Sequence, residues 1–152
     1  RPHNIVNSLI IEPNELESVL EERYKRYAEI EEKEVMYEEF MTDDAEIIVT
    51  AFGITARIAR TAVTAAREKG IKAGLFRPIT LWPFPTKALH DAAVAPGVKA
   101  VLDVELNAGQ MLEDVKLAVN GEQKVDFFGH YGSHMPTPEE IKEKLLSMRE
   151  VL

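Results

Sequence analysis

The sequence predicts an α/β domain with a mostly parallel sheet, and three observations support this fold class. Runs of β-forming residues alternate with helical patterns, the order expected when helices connect parallel strands. The run 46–52, EIIVTAF, is apolar on both faces, as in a central strand covered by helices on both sides. A capping-box pattern at Thr137 and Glu140, with Pro138 between them, marks the start of the last helix.

The composition fits one soluble domain with a short appended arm. The chain has 152 residues, of which 45% are hydrophobic and 29% are charged, and no apolar run has the length of a membrane span. It contains no cysteine, which excludes disulfides, thiolate metal sites and cysteine nucleophiles and favours a cytoplasmic location. It begins with Arg1, and we expect it to be a processed or truncated piece of a longer protein.

The first 33 residues form an acidic arm. Residues 1–44 contain 13 acidic and 5 basic residues, which accounts for the whole net charge of −8. Helical spacing of the apolar residues predicts a connecting helix with Asn14 as its N-cap, which either packs on the domain or joins it to a preceding one. The negative charge argues against nucleic acid and anionic membranes as partners.

The domain itself is expected to occupy residues 34–152. An edge strand is predicted at about 34–41, where aromatic and acidic residues alternate. After the strand 46–52, a helix with an alanine-rich inner face is expected from Thr55, with Gly70 at its C′ position. The later segments are predicted as strands at 71–76, 98–105 and 123–129, and as helices at 86–95, 107–120 and 137–148.

Functional groups are expected at the carboxyl ends of the parallel strands, where ligands and partners gather in such sheets. The sequence FGITAR at 52–57 is either an anion-binding helix start or a tight turn capped by Thr55. In ELNAGQM, Glu105 is either a general base or, together with Asn107 and Gln110, a helix cap.

The remaining chemistry is sparse. His130 and His134 are interpreted as loop histidines, because no matching carboxylate or thiolate ligand is evident from the spacing. No phosphate-binding glycine motif and no serine nucleophile motif occurs. We therefore predict no catalytic residue, no cofactor site and no metal site in this chain.

The loop 77–85, RPITLWPFP, is unusually stiff and apolar. It carries three prolines and the only tryptophan of the chain. Prolines preset the backbone, and large aromatic side chains commonly anchor interfaces. Either Trp82 packs back into the domain's own core, or the loop forms an assembly interface with a neighbouring domain or subunit.

Three segments resemble the C-terminal domain of the α subunit of 2-oxoacid:ferredoxin oxidoreductases. They are 52–85, which ends in RPITLWPFP, 101–115, VLDVELNAGQMLEDV, and 137–141, TPEEI. The subset acting on branched-chain 2-oxoacids or on 2-oxoglutarate is the most similar. The C-terminal domain of transketolase resembles the chain more distantly.

The resemblance implies a three-layer α/β/α fold with a five-stranded mixed sheet whose first strand is antiparallel. It also implies a parent enzyme that uses thiamine diphosphate, magnesium, iron–sulfur clusters and coenzyme A to oxidise a 2-oxoacid and to reduce ferredoxin. In that family these cofactors lie in other domains and subunits, through which ferredoxin also binds. The candidate interface residues are Arg77, Pro78, Trp82, Pro83, Phe84, Glu105, Asn107 and Gln110. The alternative function is a free-standing regulatory or anion-binding module that uses residues 53–55.

Overall fold

The computed structural model describes residues 9–152 and divides the chain after Glu34. The first unit contains α1, Pro13–Lys33, a helix with no fully buried residue. It begins at Pro13 with Glu12 as the N-cap, so the prediction of Asn14 as the N-cap is wrong. Proline at the first helical position has a preset φ and needs no hydrogen-bond acceptor, which allows the helix to start two residues earlier than predicted.

The second unit, residues 35–152, consists of a sheet of five strands between two pairs of helices. The strand order is β1-β3-β2-β4-β5, with β1 antiparallel to β3 and the other pairs parallel. The predicted α/β/α architecture and the mixed sheet are therefore confirmed. The elements of this unit are β1 Tyr37–Phe40, β2 Ile47–Thr50, α2 Gly53–Glu68, β3 Ala73–Pro78, α3 Thr86–Ala93, β4 Ala100–Glu105, α4 Gln110–Val119, β5 Lys124–Gly129 and α5 Pro138–Arg149.

Each face of the sheet is buried by one helix pair. One core cluster joins the sheet to α2 and α5, and it contains four small side chains of α2: Ala56, Ala59, Ala62 and Ala66. The other cluster joins the opposite face to α3 and α4, with Phe76 and Leu89 completely buried. Burial on both faces explains why β2 and β4 are apolar along most of their length.

Two boundaries differ from the sequence-based expectations. β1 spans only four residues, because Met41 adopts φ 56° and ends the extended backbone. α2 begins at Gly53 with Phe52 as the N-cap, and Thr55 is buried inside the helix. Thr55 is therefore not the cap of this helix. Among residues 9–152, no helix combines the length and the apolar character needed to cross a bilayer.

The start of α5 is fixed by the predicted capping box. The Thr137 hydroxyl accepts a hydrogen bond from Glu140 N at 3.2 Å, and Glu140 Oε2 accepts one from Thr137 N at 2.7 Å. Both bonds satisfy backbone N–H groups that the helix itself leaves without partners. The buried residues Ile141, Leu145 and Met148 then hold α5 against the sheet.

We expect Thr137→Ala to lower the free energy of unfolding by roughly 1 kcal/mol, because the Glu140 N–H loses its acceptor. Urea denaturation followed by far-UV circular dichroism measures this change. Thr137→Ser, which keeps the hydroxyl, is the matched control and should lie close to the wild type. Equal stability of the alanine and serine variants would contradict the assigned role of the cap.

Candidate functional site

The carboxyl ends of the four parallel strands lie along one edge of the sheet, and the start of the antiparallel strand β1 joins them there. In the register of β1 and β3, Tyr37 lies opposite Pro78, so the residues before β1 meet the loop after β3. The segments that follow β2, β4 and β5 reach the same edge. We call this side of the domain the carboxyl edge.

The proline-rich loop 77–85 is fastened to the entry of β1 by backbone hydrogen bonds. Ile79 N and Thr80 N both donate to Met36 O, at 2.9 and 3.2 Å. Met36 N in turn donates to Thr80 Oγ1 at 3.0 Å. Pro78, Pro83 and Pro85 are buried, so the loop is held in one conformation by contacts on its inner side.

The outer side of the same loop carries large apolar side chains exposed to solvent. Trp82 is 55% exposed, and Leu81 and Ile79 are 45% and 44% exposed. Phe84 points the other way and packs partly against the core under α3 and α4. The loop thus has an inner apolar side, which includes Phe84, and an outer apolar side, which includes Trp82. Trp82 is therefore not part of the domain's own core.

Arg77 is the last residue but one of β3 and lies on the face of the sheet that α2 covers. Its Nη1 donates to Glu38 Oε2 of β1 at 3.0 Å, across the directly paired position. Its Nε atom is buried and has no hydrogen-bond partner among the described residues. A surface cavity of about 80 Å³ beside it is also lined by Arg57 and Arg60. Arg77 therefore links β3 to β1 and lines a small cavity together with two basic residues of α2.

Glu105, at the end of β4, caps the start of α4 from inside the protein. Its carboxylate accepts hydrogen bonds from Met111 N at 3.0 Å, Leu112 N at 2.9 Å and Asn107 Nδ2 at 2.9 Å. The side chain is completely buried. A carboxylate at this position satisfies helix N–H groups and is favoured by the helix dipole. The structure supports Glu105 as a helix cap and does not support it as a general base.

Asn107 completes the turn between β4 and α4. Its Oδ1 accepts hydrogen bonds from Gly109 N and Gln110 N at 2.8 and 2.9 Å. Gly109 adopts φ 98°, a conformation that favours glycine. Gln110 itself is exposed at the carboxyl edge. Glu105 and Pro83 are buried, so they support this edge from beneath and do not form part of its surface.

Asp103 is a buried acid that the sequence analysis did not single out. It lies two residues before Glu105 on the same face of β4, and its Oδ1 accepts a hydrogen bond from Thr50 Oγ1 at 2.7 Å. Its Oδ2 is buried and has no hydrogen-bond partner among the described residues. Burial, followed by the neighbouring Glu105 carboxylate, raises the pKa of Asp103 to about 8. The neutral acid is therefore the favoured form at neutral pH.

The two histidines after β5 do not stand alone. His130 Nε2 lies 4.0 Å and His134 Nε2 lies 3.7 Å from the same oxygen, Glu140 Oε1. Glu140 belongs to the next helix, and only the fold brings it to the histidines. The spacing of four residues between the histidines was the only signal in the sequence.

Comparison with solved structures defines the class of this domain. The chain superposes with a TM-score of 0.72 and 20% identity on a 2-oxoglutarate:ferredoxin oxidoreductase from Magnetococcus marinus, solved with 2-oxoglutarate, coenzyme A and succinyl-CoA bound. The match covers 91% of this chain and 24% of that one. A split-gene transketolase matches with a TM-score of 0.61 and 16% identity, over 74% of this chain and 40% of that one. The fold is therefore that of the transketolase C-terminal-like domains.

Sequence relatives narrow this class to one family. Residues 45–141 match the family described as pyruvate:ferredoxin oxidoreductase core domain II, and the chain belongs to that family. The ketoisovalerate oxidoreductase subunit VorB of Methanothermobacter marburgensis is 40% identical over 97% of this chain. The 2-oxoglutarate synthase subunit KorA of the same organism is 36% identical over 71% of this chain. The chain spans 40% of the length of the VorB subunit and 28% of the KorA subunit.

The raised pKa of Asp103 gives the stability of the domain a defined pH dependence. The pKa is about 8 in the folded chain against an ordinary value of 3.8, so the folded state holds the extra proton between these values. The contribution of Asp103 to the free energy of unfolding is then greatest below its ordinary pKa, and it is lost as the pH rises through its pKa in the folded state.

Asp103→Asn removes this proton uptake and keeps an oxygen acceptor for Thr50. Relative to the wild type, we expect the unfolding equilibrium constant of the variant to fall by up to about tenfold per pH unit from about pH 5 to about pH 8, because only the wild type loses stability as the pH rises. Urea denaturation at several pH values measures this change. Asp126→Asn is the control, because Asp126 is ion-paired with Lys144 at 2.7 Å and only half-buried. Parallel pH profiles of the Asp103→Asn variant and the wild type would contradict the assignment.

Proposed function

We propose that this chain is a structural and assembly domain of a multi-subunit 2-oxoacid:ferredoxin oxidoreductase. Such an enzyme oxidatively decarboxylates a 2-oxoacid, transfers the acyl group to coenzyme A and passes the electrons to ferredoxin. The membership of residues 45–141 in the core domain II family is the observation that carries this proposal. The similarity to the VorB and KorA subunits agrees with it.

A branched-chain 2-oxoacid is the substrate class that we propose for the parent enzyme. The two ketoisovalerate oxidoreductase relatives are 40% and 41% identical over 97% and 93% of this chain. The 2-oxoglutarate synthase relatives from the same genus match only 71% and 73% of it. The longer match supports the ketoisovalerate type, and the 2-oxoglutarate type is the second candidate.

The residues of this chain do not fit two of the cofactors of such an enzyme, the iron–sulfur clusters and magnesium. Iron–sulfur clusters need cysteine thiolates, and the sequence contains no cysteine. Magnesium prefers oxygen ligands, whereas the one group of three metal-ligating side chains found within residues 9–152 contains two histidines. These ligand sets support assigning the clusters and magnesium to other parts of the enzyme, and we propose the same for thiamine diphosphate and coenzyme A because the family resemblance implies it.

The carboxyl edge is the surface that we propose for assembly with other domains or subunits. The exposed Ile79, Leu81 and Trp82 stand on a loop whose backbone is already fixed by Met36 and by buried prolines. A fixed loop loses little conformational entropy when it docks, and aromatic side chains supply large apolar contact areas. Arg77, Pro78, Phe84, Asn107 and Gln110 shape the same edge.

We propose that ferredoxin binds through other subunits and that the enzyme is cytoplasmic. Residues 1–44 carry 13 acidic against 5 basic side chains, and an acidic carrier such as ferredoxin would be repelled by this segment.

The alternative of a free-standing regulatory or anion-binding module rests on the backbone N–H groups of residues 53–55, and Gly53 and Ile54 are exposed at the start of α2. It is the second proposal, because the family membership of residues 45–141 supports the oxidoreductase domain.

Trp82→Ala tests the assembly role in the enzyme complex that contains this chain. We expect at least about tenfold weaker association with the partner subunits, because an exposed aromatic anchor on a fixed loop is lost. Size-exclusion chromatography and co-purification of the co-expressed subunits measure it. Leu117→Ala is the control, since Leu117 is 73% exposed toward the far end of α4. Unchanged assembly of the Trp82→Ala complex would refute the assembly role and leave the family assignment intact.

The purified 152-residue chain tests whether the cofactor sites lie in other parts of the enzyme. Since we assign these sites to those other parts, we expect no 2-oxoacid-dependent reduction of a dye acceptor and no thiamine diphosphate binding in calorimetry, whereas the complete complex is active with 2-ketoisovalerate. Turnover by the chain alone would overturn the proposal. Activity of the complex with 2-oxoglutarate in place of 2-ketoisovalerate would change only the substrate assignment.

A further inference from the structure

We propose that His130, His134 and Glu140 bind one divalent transition-metal ion, and that zinc is the ion best suited to them. The three residues connect the end of β5 to the start of α5. Their ligand atoms all lie within 4.8 Å of one another, and no other such group occurs within the described residues 9–152. This inference goes beyond the assembly role and does not depend on it.

The geometry converges on one carboxylate oxygen. Both histidine Nε2 atoms face Glu140 Oε1, at 4.0 Å for His130 and 3.7 Å for His134. These distances are too long for hydrogen bonds. Ligands about 2.0 Å from a tetrahedral zinc ion lie roughly 3.3 Å apart, so the three atoms need to close by at most about 1.5 Å.

His130 is held in place for such a role. Its backbone N–H donates to Glu105 O at 3.1 Å, and its ring packs edge to face against Phe128 with a centroid distance of 5.0 Å. Its Nε2 atom is buried and has no hydrogen-bond partner among the described residues. A buried polar atom without a partner is costly, and a metal ion would compensate it.

Glu140 is held by its other oxygen. Glu140 Oε2 accepts hydrogen bonds from Thr137 N at 2.7 Å and from Thr137 Oγ1 at 2.8 Å. These bonds fix the carboxylate at the start of α5 and leave Oε1 directed at the histidines. Hydrogen bonds that orient a metal ligand in this way are typical second partners of metal sites.

His134 supplies the movable ligand. Its side chain is 65% exposed, and Gly132, with φ 78°, precedes it in the loop. Its ring already lies with its centroid 4.5 Å from that of His130. Small rotations of this side chain can therefore bring its nitrogen to the distance that zinc requires.

The ligand types select the class of ion. Two imidazoles and one carboxylate suit zinc and its neighbours in the first transition row, whereas calcium and magnesium prefer oxygen ligands alone. Three protein ligands leave a fourth position for water or for a side chain of a partner. A bound ion would tie the loop 130–137 to α5 and fix Tyr131, which is 71% exposed.

Zinc binding to the purified chain tests the proposal. Calorimetry with ZnCl₂ should give one saturable equivalent for each chain, and CoCl₂ should give the visible absorption of tetrahedral cobalt. His134→Ala should weaken zinc binding at least about 100-fold, because a direct ligand is lost. Glu140→Gln keeps a side-chain oxygen for the capping box and should also weaken binding.

His90→Gln is the matched control, because His90 lies on α3 with its Nδ1 2.9 Å from Ala118 O. This variant should bind zinc like the wild type. The absence of a saturable equivalent in the wild type would overturn the proposal. Stoichiometric binding that persists in the His130→Ala/His134→Ala double variant would overturn it as well, because the ion would then sit elsewhere.

Discussion

The buried carboxylate of Glu105 is the constraint on which the carboxyl edge depends. Three N–H donors compensate its burial: two belong to the backbone at the start of α4 and the third to Asn107. Without these donors a charged group in the core would be strongly destabilising, so the position of α4 and the β4–α4 turn are fixed together. Burial and the same carboxylate favour the neutral form of Asp103 by raising its pKa, and the Glu105 backbone oxygen accepts the His130 N–H. Through its side chain and its backbone, Glu105 thus connects the end of β4 to the start of α4 and to the segment after β5.

Rigidity at the carboxyl edge comes from the backbone as much as from prolines. The loop after β3 is tied to Met36 by three hydrogen bonds, and the turn after β4 is tied by Asn107. Exposed apolar side chains are therefore presented on segments that do not need to reorganise. A domain that holds such a surface in place can shape an enzyme by positioning its neighbours.

Most of the fold could be predicted from the sequence, because local signals and burial agree. The apolar run of β2, the alanines of α2 and the capping box at Thr137 each have one simple structural explanation. The start of α2 could not be placed from Thr55, because Thr55 lies within the helix and its side chain is buried, so it does not cap the helix. The sequence did not decide whether Trp82 is buried or exposed, because its exposure depends on where the neighbouring elements lie.

The site was less accessible to sequence reasoning. Asp103 lies in an apolar run, and its raised pKa arises only from its burial in the folded core and from the Glu105 carboxylate beside it. In the sequence Glu140 is a capping residue, and its proximity to His130 and His134 becomes visible only in the folded structure. Contacts between residues far apart in sequence carry no local pattern, so such clusters emerge from the structure alone.

The short first strand has a consequence for how larger assemblies can grow. β1 is an outermost strand of the sheet, with only four residues, and it carries exposed Glu38 and Glu39. Brief, charged border strands discourage another chain from extending the sheet by main-chain pairing. Neighbouring chains are therefore disfavoured from adding a strand beside β1 and are expected to contact the domain through side chains. Contacts between side chains are more selective than hydrogen bonds between main chains, which every sequence can form.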